Sequence, residues 1–225
     1  MLKNFYHNFA SLFSFKLKSK LKKFFFSYVA NNKLDKKLKK YLDYKNGYFV
    51  ELGANDGINQ SNTFYFEKKK NWSGVLIEPY KNNYIECKKN RSKKNKFFHA
   101  ACVSNNYKRK KIKLAYGNLL TTIAKNKFYF NKIMKYKMHS GVKSNPFFFY
   151  TRAFTLTSLL DKAKSPSVID LLSLDVEGSE FEVLKGINFK KYIFKYMLIE
   201  VNKLKEKKNF LKKKGYYVSK YFGGI

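Results

Sequence analysis

Four apolar runs in this sequence end in acid: Tyr48-Phe49-Val50 at Glu51, Val75-Leu76-Ile77 at Glu78, Val168 to Leu174 at Asp175 with Glu177 close behind, and Tyr196 to Ile199 at Glu200. The first continues, in GYFVELGANDGINQSNT at residues 47–63, into a loop bracketed by Gly53 and Gly57 and then into Ser61-Asn62-Thr63 at a helix start. A strand feeding a glycine loop and then a helix is the usual cradle for a nucleotide-like ligand. Acids in the loop argue against a phosphate, since a pyrophosphate beside Asp56 meets like charge. The loop also reads G-x-x-x-G, without the middle glycine of the dinucleotide fingerprint, and no P-loop Lys-Ser/Thr follows. Glu78 stands twenty-one residues past Gly57, the spacing at which an acid on the second strand takes ribose hydroxyls. A nucleoside whose tail carries an ammonium and a sulfonium meets both conditions. That nucleoside is S-adenosylmethionine, with Glu51, Gly53, Asn55, Asp56, Gly57 and Glu78 as the expected cofactor contacts. The competing reading is an ordinary strand-turn-helix with polar loop residues.

Asp175 and Glu177 are the expected catalytic pair. An alcohol is a poor nucleophile, so a group must orient it or accept its proton while the methyl is held in line. One carboxylate can orient the acceptor or the methionine amino group, and the other can serve as general base. Against this, Asp175 can simply cap the following helix while Glu177 is solvated. Two carboxylates are not a divalent-metal site, and His7, His99 and His139 give no constellation with them, so no metal is assigned. His99, mid-strand, reads as a hydrogen-bonded structural histidine.

The elements that must position these residues follow from alternating short apolar runs and helix-like segments. Strands are expected at Tyr48–Gly53, Ser73–Glu78, Lys96–Val103, Val168–Asp175, Tyr196–Glu200 and Tyr216–Phe222. Helices are expected over 61–71, 80–91 and 202–215, with others opening near Thr155 and Gly178. Phe181, Leu184 and Ile187 fall on one helical face. Ser61 or Asn62 caps the first of these helices. Residues 105–150 read as an irregular, basic and aromatic insertion with hairpin strands near Lys111–Tyr116. The fold class is α/β, a doubly wound and mostly parallel sheet with helices on both faces.

At 225 residues the chain suits one domain plus an appendage: a basic helical extension over 1–45 and a domain over 46–225. Hydrophobic content of 44% and aromatic content of 19% exclude a disordered chain. No stretch is apolar for long enough to span a bilayer, and the N-terminus lacks the continuous apolar core and cleavage site of a signal peptide. Cys87 and Cys102 form no framework or metal spacing, which suits a reducing cytoplasm. The formal charge of +33 invites nucleic acid, but the lysines are spread over the whole chain. The strongest local excess is residues 1–45, where twelve lysines against Asp35 and Asp43 give a net +10. Lysines interleaved with Phe and Leu there suit either a helix lying on the anionic inner face of a membrane or a helical cap on the domain.

These residues carry a resemblance. ELGANDG from Glu51, SNTFYFE from Ser61, WSGVLIEP from Trp72 and Asn90-Arg91 resemble the FkbM-type S-adenosylmethionine-dependent methyltransferase family. So do Thr155–Leu160, IDLLSLDVEGSEFEVLKG over 169–186 and the IE-x-N strand end at Ile199–Asn202. The resemblance covers roughly residues 40–221. It implies a class I methyltransferase fold (Rossmann-like), cofactor binding at Gly53 to Gly57 and Glu78, and methyl transfer to a hydroxyl, often on a polysaccharide or secondary metabolite. Such folds end in a seventh, antiparallel strand, and the sequence reaches Gly223-Gly224-Ile225 where it should begin. Acceptor specificity is expected in 105–150, and the partner is a small-molecule or glycan acceptor. Two alternatives stand beside this reading. An RNA methyltransferase suits the charge, but Asn145-Pro146-Phe147-Phe148 lacks the second proline of a base-gripping loop and lies upstream of the proper strand. A noncatalytic glycan- or membrane-binding module on the same fold is the other.

Overall fold

Alternation along Tyr48–Leu52 (β1) sends Phe49 to one face of the sheet and Val50 and Leu52 to the other, each fully buried or nearly so. Ser73–Glu78 (β2) repeats the pattern with Leu76 against Val75 and Ile77. Apolar residues on both faces are what a parallel sheet sandwiched between helices requires. The computed structural model describes residues 28–124, 131, 134, 147–200 and 204–222. The basic extension expected over residues 1–45 lies outside the described residues as far as 27.

Five strands form the main sheet in the order β3-β2-β1-β8-β9, all parallel, where β3 is Lys96–His99, β8 is Val168–Leu174 and β9 is Ile193–Ile199. Leu34–Leu42 (α1), Phe64–Lys70 (α2) and Lys81–Asn90 (α3) bury Leu38, Leu42, Phe66 and Cys87 with Phe49, Leu76 and Leu171. Trp72 completes that layer, and its indole N–H donates to the Tyr44 carbonyl at 2.8 Å. Leu156–Ala163 (α4) and Glu180–Leu184 (α5) cover the opposite face, where Leu156, Leu159, Val183, Leu184 and Ile187 meet Val50, Ile77 and Leu172. Thr155 caps α4 by accepting from the Ser158 N–H at 3.2 Å. Leu204–Lys212 (α6) ends before Gly215, which takes φ +85°. The chain is thus a doubly wound α/β fold. Among the described residues no helix is long and apolar enough to cross a membrane.

Two strand expectations are corrected. The run Lys96–Val103 is not one strand. Lys96–His99 pairs with Val75–Glu78, and Pro79 then ends the partner strand. The chain leaves the sheet at Ala100, and Ala101–Cys102 (β4) joins a second sheet. Tyr216–Phe222 forms no strand either. Its first hydroxyl, on Tyr216, accepts the Phe194 N–H of edge strand β9 at 3.0 Å. Its far end lies against α1, where the Phe222 carbonyl accepts from the Lys37 Nζ at 3.3 Å. A segment drawn toward α1 does not run along β9.

The described parts of the insertion carry regular strands. Lys111–Ala115 (β5) pairs antiparallel with Thr122–Ile123 (β6) and with Phe148–Phe154 (β7), giving the order β4-β7-β5-β6. Ile112 and Leu114 bury their side chains with Val103, and Phe149 packs against them. The stretch over residues 125–146 lies, but for residues 131 and 134, outside the described residues.

Candidate active site

A cleft opens over the carboxyl ends of β2, β1 and β8, the place where open parallel sheets hold ligands. Glu51, Gly53, Asn55, Glu78, Asp175 and Glu177 line it together. Asp56 and Gly57 do not. The Asp56 carboxylate is turned into its own loop, accepting from the N–H groups of Ile58 and Asn59 at 2.9 and 2.8 Å and from the Asn59 Nδ2 at 2.5 Å. It therefore shapes the turn as an Asx-type anchor. Gly57, at φ +80°, packs on Arg91 and Cys87, so a side chain there would displace the arginine. Gly53, at φ +76°, is needed for another reason: a Cβ would run into the Asp175 carbonyl, so glycine lets the β1 loop and the end of β8 meet.

Glu51 reaches the cleft but is engaged from behind. Oε1 accepts from the Ser61 hydroxyl at 3.0 Å and the Asn62 N–H at 2.9 Å. Oε2 accepts from Thr63 Oγ1 at 2.6 Å and Arg91 Nη1 at 3.2 Å. Arg91 is buried, with Nε on Glu67 at 2.8 Å, Nη1 also on the Gly57 carbonyl and Nη2 on Thr63 Oγ1. Burial works against its charge, yet the Glu67 and Glu51 carboxylates hold its pKa above the ordinary guanidinium value. Ser61 also accepts from the Phe64 N–H at 3.1 Å, so it does serve the start of α2.

Glu78 closes β2 with its carboxylate at the mouth of the loop, accepting from the Asn55 N–H and the Tyr80 N–H at 2.8 Å each. Burial raises its pKa to about 7, against those two hydrogen bonds. Each oxygen keeps a second lone pair for a hydroxyl.

At the end of β8 the carboxylates of Asp175 and Glu177 meet that of Glu200, with oxygens all within 4.8 Å of one another. Three acids so close attract a cation. Asp175 is exposed and Glu177 is nearly buried at φ 51°. The turn that carries them is held by Glu180, whose Oε1 accepts from the Gly178 N–H at 2.9 Å and the Val176 N–H at 3.3 Å. Glu180 in turn pairs with buried Lys207 at 2.9 Å.

The insertion forms the remaining wall. Asn55 Nδ2 donates to Asn118 Oδ1 at 3.1 Å, and Thr122 Oγ1 donates to the Glu177 carbonyl at 2.8 Å. Ile112, Leu114 and Ile123 add apolar surface. Ser173, Asn118 and Thr122 carry no signal in the sequence, Asn62 was expected only as a helix cap, and Arg91 was met only as part of a motif. One signal was present: only Arg91, Arg109 and Arg152 break a basic complement otherwise made of lysine. An arginine retained in such a chain marks a place that needs a planar fork.

The lining of this cleft contains no lysine, arginine or histidine among the described residues, in a chain of formal charge +33. A family model described as the methyltransferase FkbM domain matches residues 51–222. Comparison with curated proteins and with solved structures gives no match.

Proposed function

The chain belongs to the FkbM methyltransferase family, and from that premise we propose that it transfers a methyl group from S-adenosylmethionine to a hydroxyl of a sugar, polysaccharide or related metabolite. The observation that carries this reading is the acidic, cation-free cleft. Lysine fills solvated positions almost everywhere else in the chain, so a cleft lined by Glu78, Asp175 and Glu177, with Glu51 held from behind by Arg91, selects a positively charged guest. A dinucleotide or nucleic-acid backbone finds no countercharge among the described residues of that lining.

The residues fit the cofactor. Glu78 offers a carboxylate to ribose hydroxyls at the end of β2, and Gly53 brings the loop backbone close without a side chain in the way. When bound, the cofactor supplies an electrophilic methyl on a sulfonium. Asp175 and Glu177, at the end of β8, orient the acceptor hydroxyl and take its proton. The β5–β6 wall, sewn to both sides of the cleft by Asn118 and Thr122, excludes water from the reacting atoms. The same wall, with its apolar Ile112, Leu114 and Ile123, selects the acceptor.

Methyl-labelled S-adenosylmethionine incubated with fractionated glycan, lipid and RNA acceptors tests the reading. Label entering the glycan fraction in an ether linkage supports it. Label entering RNA makes the chain a nucleic-acid methyltransferase, and cofactor binding without transfer to any fraction makes it a binding module.

A further inference from the structure

Asn62 has a buried polar end with no partner. Its backbone N–H is fixed on Glu51 Oε1 at 2.9 Å, and its Nδ2 donates to Ser173 Oγ at 3.0 Å. Both anchors are themselves buried, and they face each other in register across β1 and β8. The amide is therefore held from two sides. Its Oδ1 has no hydrogen-bond partner among the described residues, although the side chain is only 7% exposed and lines the cleft. A buried acceptor left unpaired costs stability, so an unpaired oxygen on a side chain that lines a cavity is one that a ligand completes.

The position says which part of the ligand. Glu78 and Ser173 lie on the two strands that flank β1, so the ribose acid and the Asn62 amide stand on opposite sides of the glycine loop. On the Glu78 side the lining is apolar, with Ile77, Pro79, Ala100 and Ala101, which suits a purine. On the Asn62 side it is polar and acidic, toward Asp175 and Glu177. A nucleoside with its ribose on Glu78 thus lays its charged tail toward Asn62. Glu51, which also lines that side, has its carboxylate already engaged by Arg91, Ser61, Thr63 and the Asn62 N–H.

We infer that Asn62 Oδ1 accepts a hydrogen bond from the α-ammonium group of the cofactor's amino-acid tail, making Asn62 the residue that positions the sulfonium relative to Asp175. This rests on the S-adenosylmethionine reading above and assigns one atom within it. The tail is then gripped by a neutral amide rather than by Glu51.

Three ligands separate the possibilities in titration calorimetry. S-adenosylhomocysteine carries both the ammonium and the carboxylate, its decarboxylated analogue carries the ammonium alone, and 5′-methylthioadenosine carries neither. Asn62→Ala should weaken the first two about tenfold or more, the usual loss for one hydrogen bond to a charged group, and leave methylthioadenosine unchanged. That unchanged affinity also reports that the variant is folded. Equal loss for all three ligands, or loss for none, overturns the inference. Loss for S-adenosylhomocysteine without loss for the decarboxylated ligand assigns the amide to the carboxylate and overturns it as well. If the unaltered protein binds none of the three, the cofactor reading itself fails, a result distinct from each of these.

Discussion

Arg91 Nη1 lies 3.2 Å from Glu51 Oε2, and neither side chain reaches solvent. The guanidinium thereby ties the end of β1 to the end of α3, with Phe49 and Phe64 rings 5.2 and 5.8 Å from its carbon. Glu51, at the position a cofactor acid would occupy, is part of the frame that fixes the loop.

Removing that tie should be expensive. Arg91→Ala leaves Glu51 buried without its countercharge and Glu67 with only the partly exposed Lys68 at 3.6 Å, which costs about 3–5 kcal/mol. Arg91→Lys keeps the charge but loses the fork that meets Glu67, Glu51, Gly57 and Thr63 together, and should fall between. Urea denaturation measures both. An alanine variant within about 1 kcal/mol of the parent, the range of a surface ion pair, refutes the frame role.

Glu78 should make both stability and binding depend on pH, in opposite senses. Its pKa is about 7 in the folded chain, raised chiefly by burial above the ordinary 4.5. The folded state therefore holds the extra proton between those values, and Glu78's contribution, full below about 4.5, is lost as pH rises through about 7. Ribose hydroxyls donate to the ionised carboxylate, so S-adenosylhomocysteine affinity should rise over the same window. Glu78→Gln should flatten both slopes, and Glu78→Ala should weaken binding by about 1.5–3 kcal/mol. A pH-independent affinity in the parent protein removes Glu78 from the ribose contact.

Asp175→Asn keeps the shape of the side chain and removes its charge. Turnover on the acceptor should drop about 100-fold or more, the usual contribution of a general base, while S-adenosylhomocysteine affinity holds. Full turnover in this variant leaves Glu177 or proximity alone to do the chemistry. Single-turnover rates and calorimetry on the same preparation distinguish the two.

Lys207 acts on the same turn from behind. Lys207→Met strips the countercharge from buried Glu180, and the loss should be about 3 kcal/mol, as for breaking other buried pairs. Because Glu180 Oε1 holds the Val176 and Gly178 N–H groups, turnover should fall too. Adding Glu180→Gln should recover much of the stability, since no bare charge then remains. A double variant no more stable than the single one shows that the cost comes from lost packing.

The main sheet was legible because its strands are short apolar runs, four of the five followed by or ending in an acid, and Glu78 was legible from its spacing to Gly57. The switch of sheets at Ala100 was hidden, because Lys96–Val103 reads as one continuous strand and nothing local says that its partner stops at Pro79. Tyr216–Phe222 has strand composition, but its ends are tied to β9 through Tyr216 and to α1, far earlier in the chain, through Phe222. The Glu51–Arg91–Glu67 frame joins residues 24 and 40 positions apart, so no window of sequence displays it. Asp56 was read as a ligand contact because sequence cannot say which way a loop carboxylate turns.

The two stitches between insertion and sheet, Asn118 to Asn55 and Thr122 to Glu177, carry a consequence for how such a protein can be altered. Both lie on the short stretch that opens the insertion, and residues 125–146 come after them in the chain. A protein engineer, or natural drift, can therefore rewrite 125–146 while the seams at 118 and 122 stay sewn. A graft that replaced the insertion from its first residue would cut both seams at once. It would strip the Asn55 loop and the Glu177 turn of their lateral support in a single stroke.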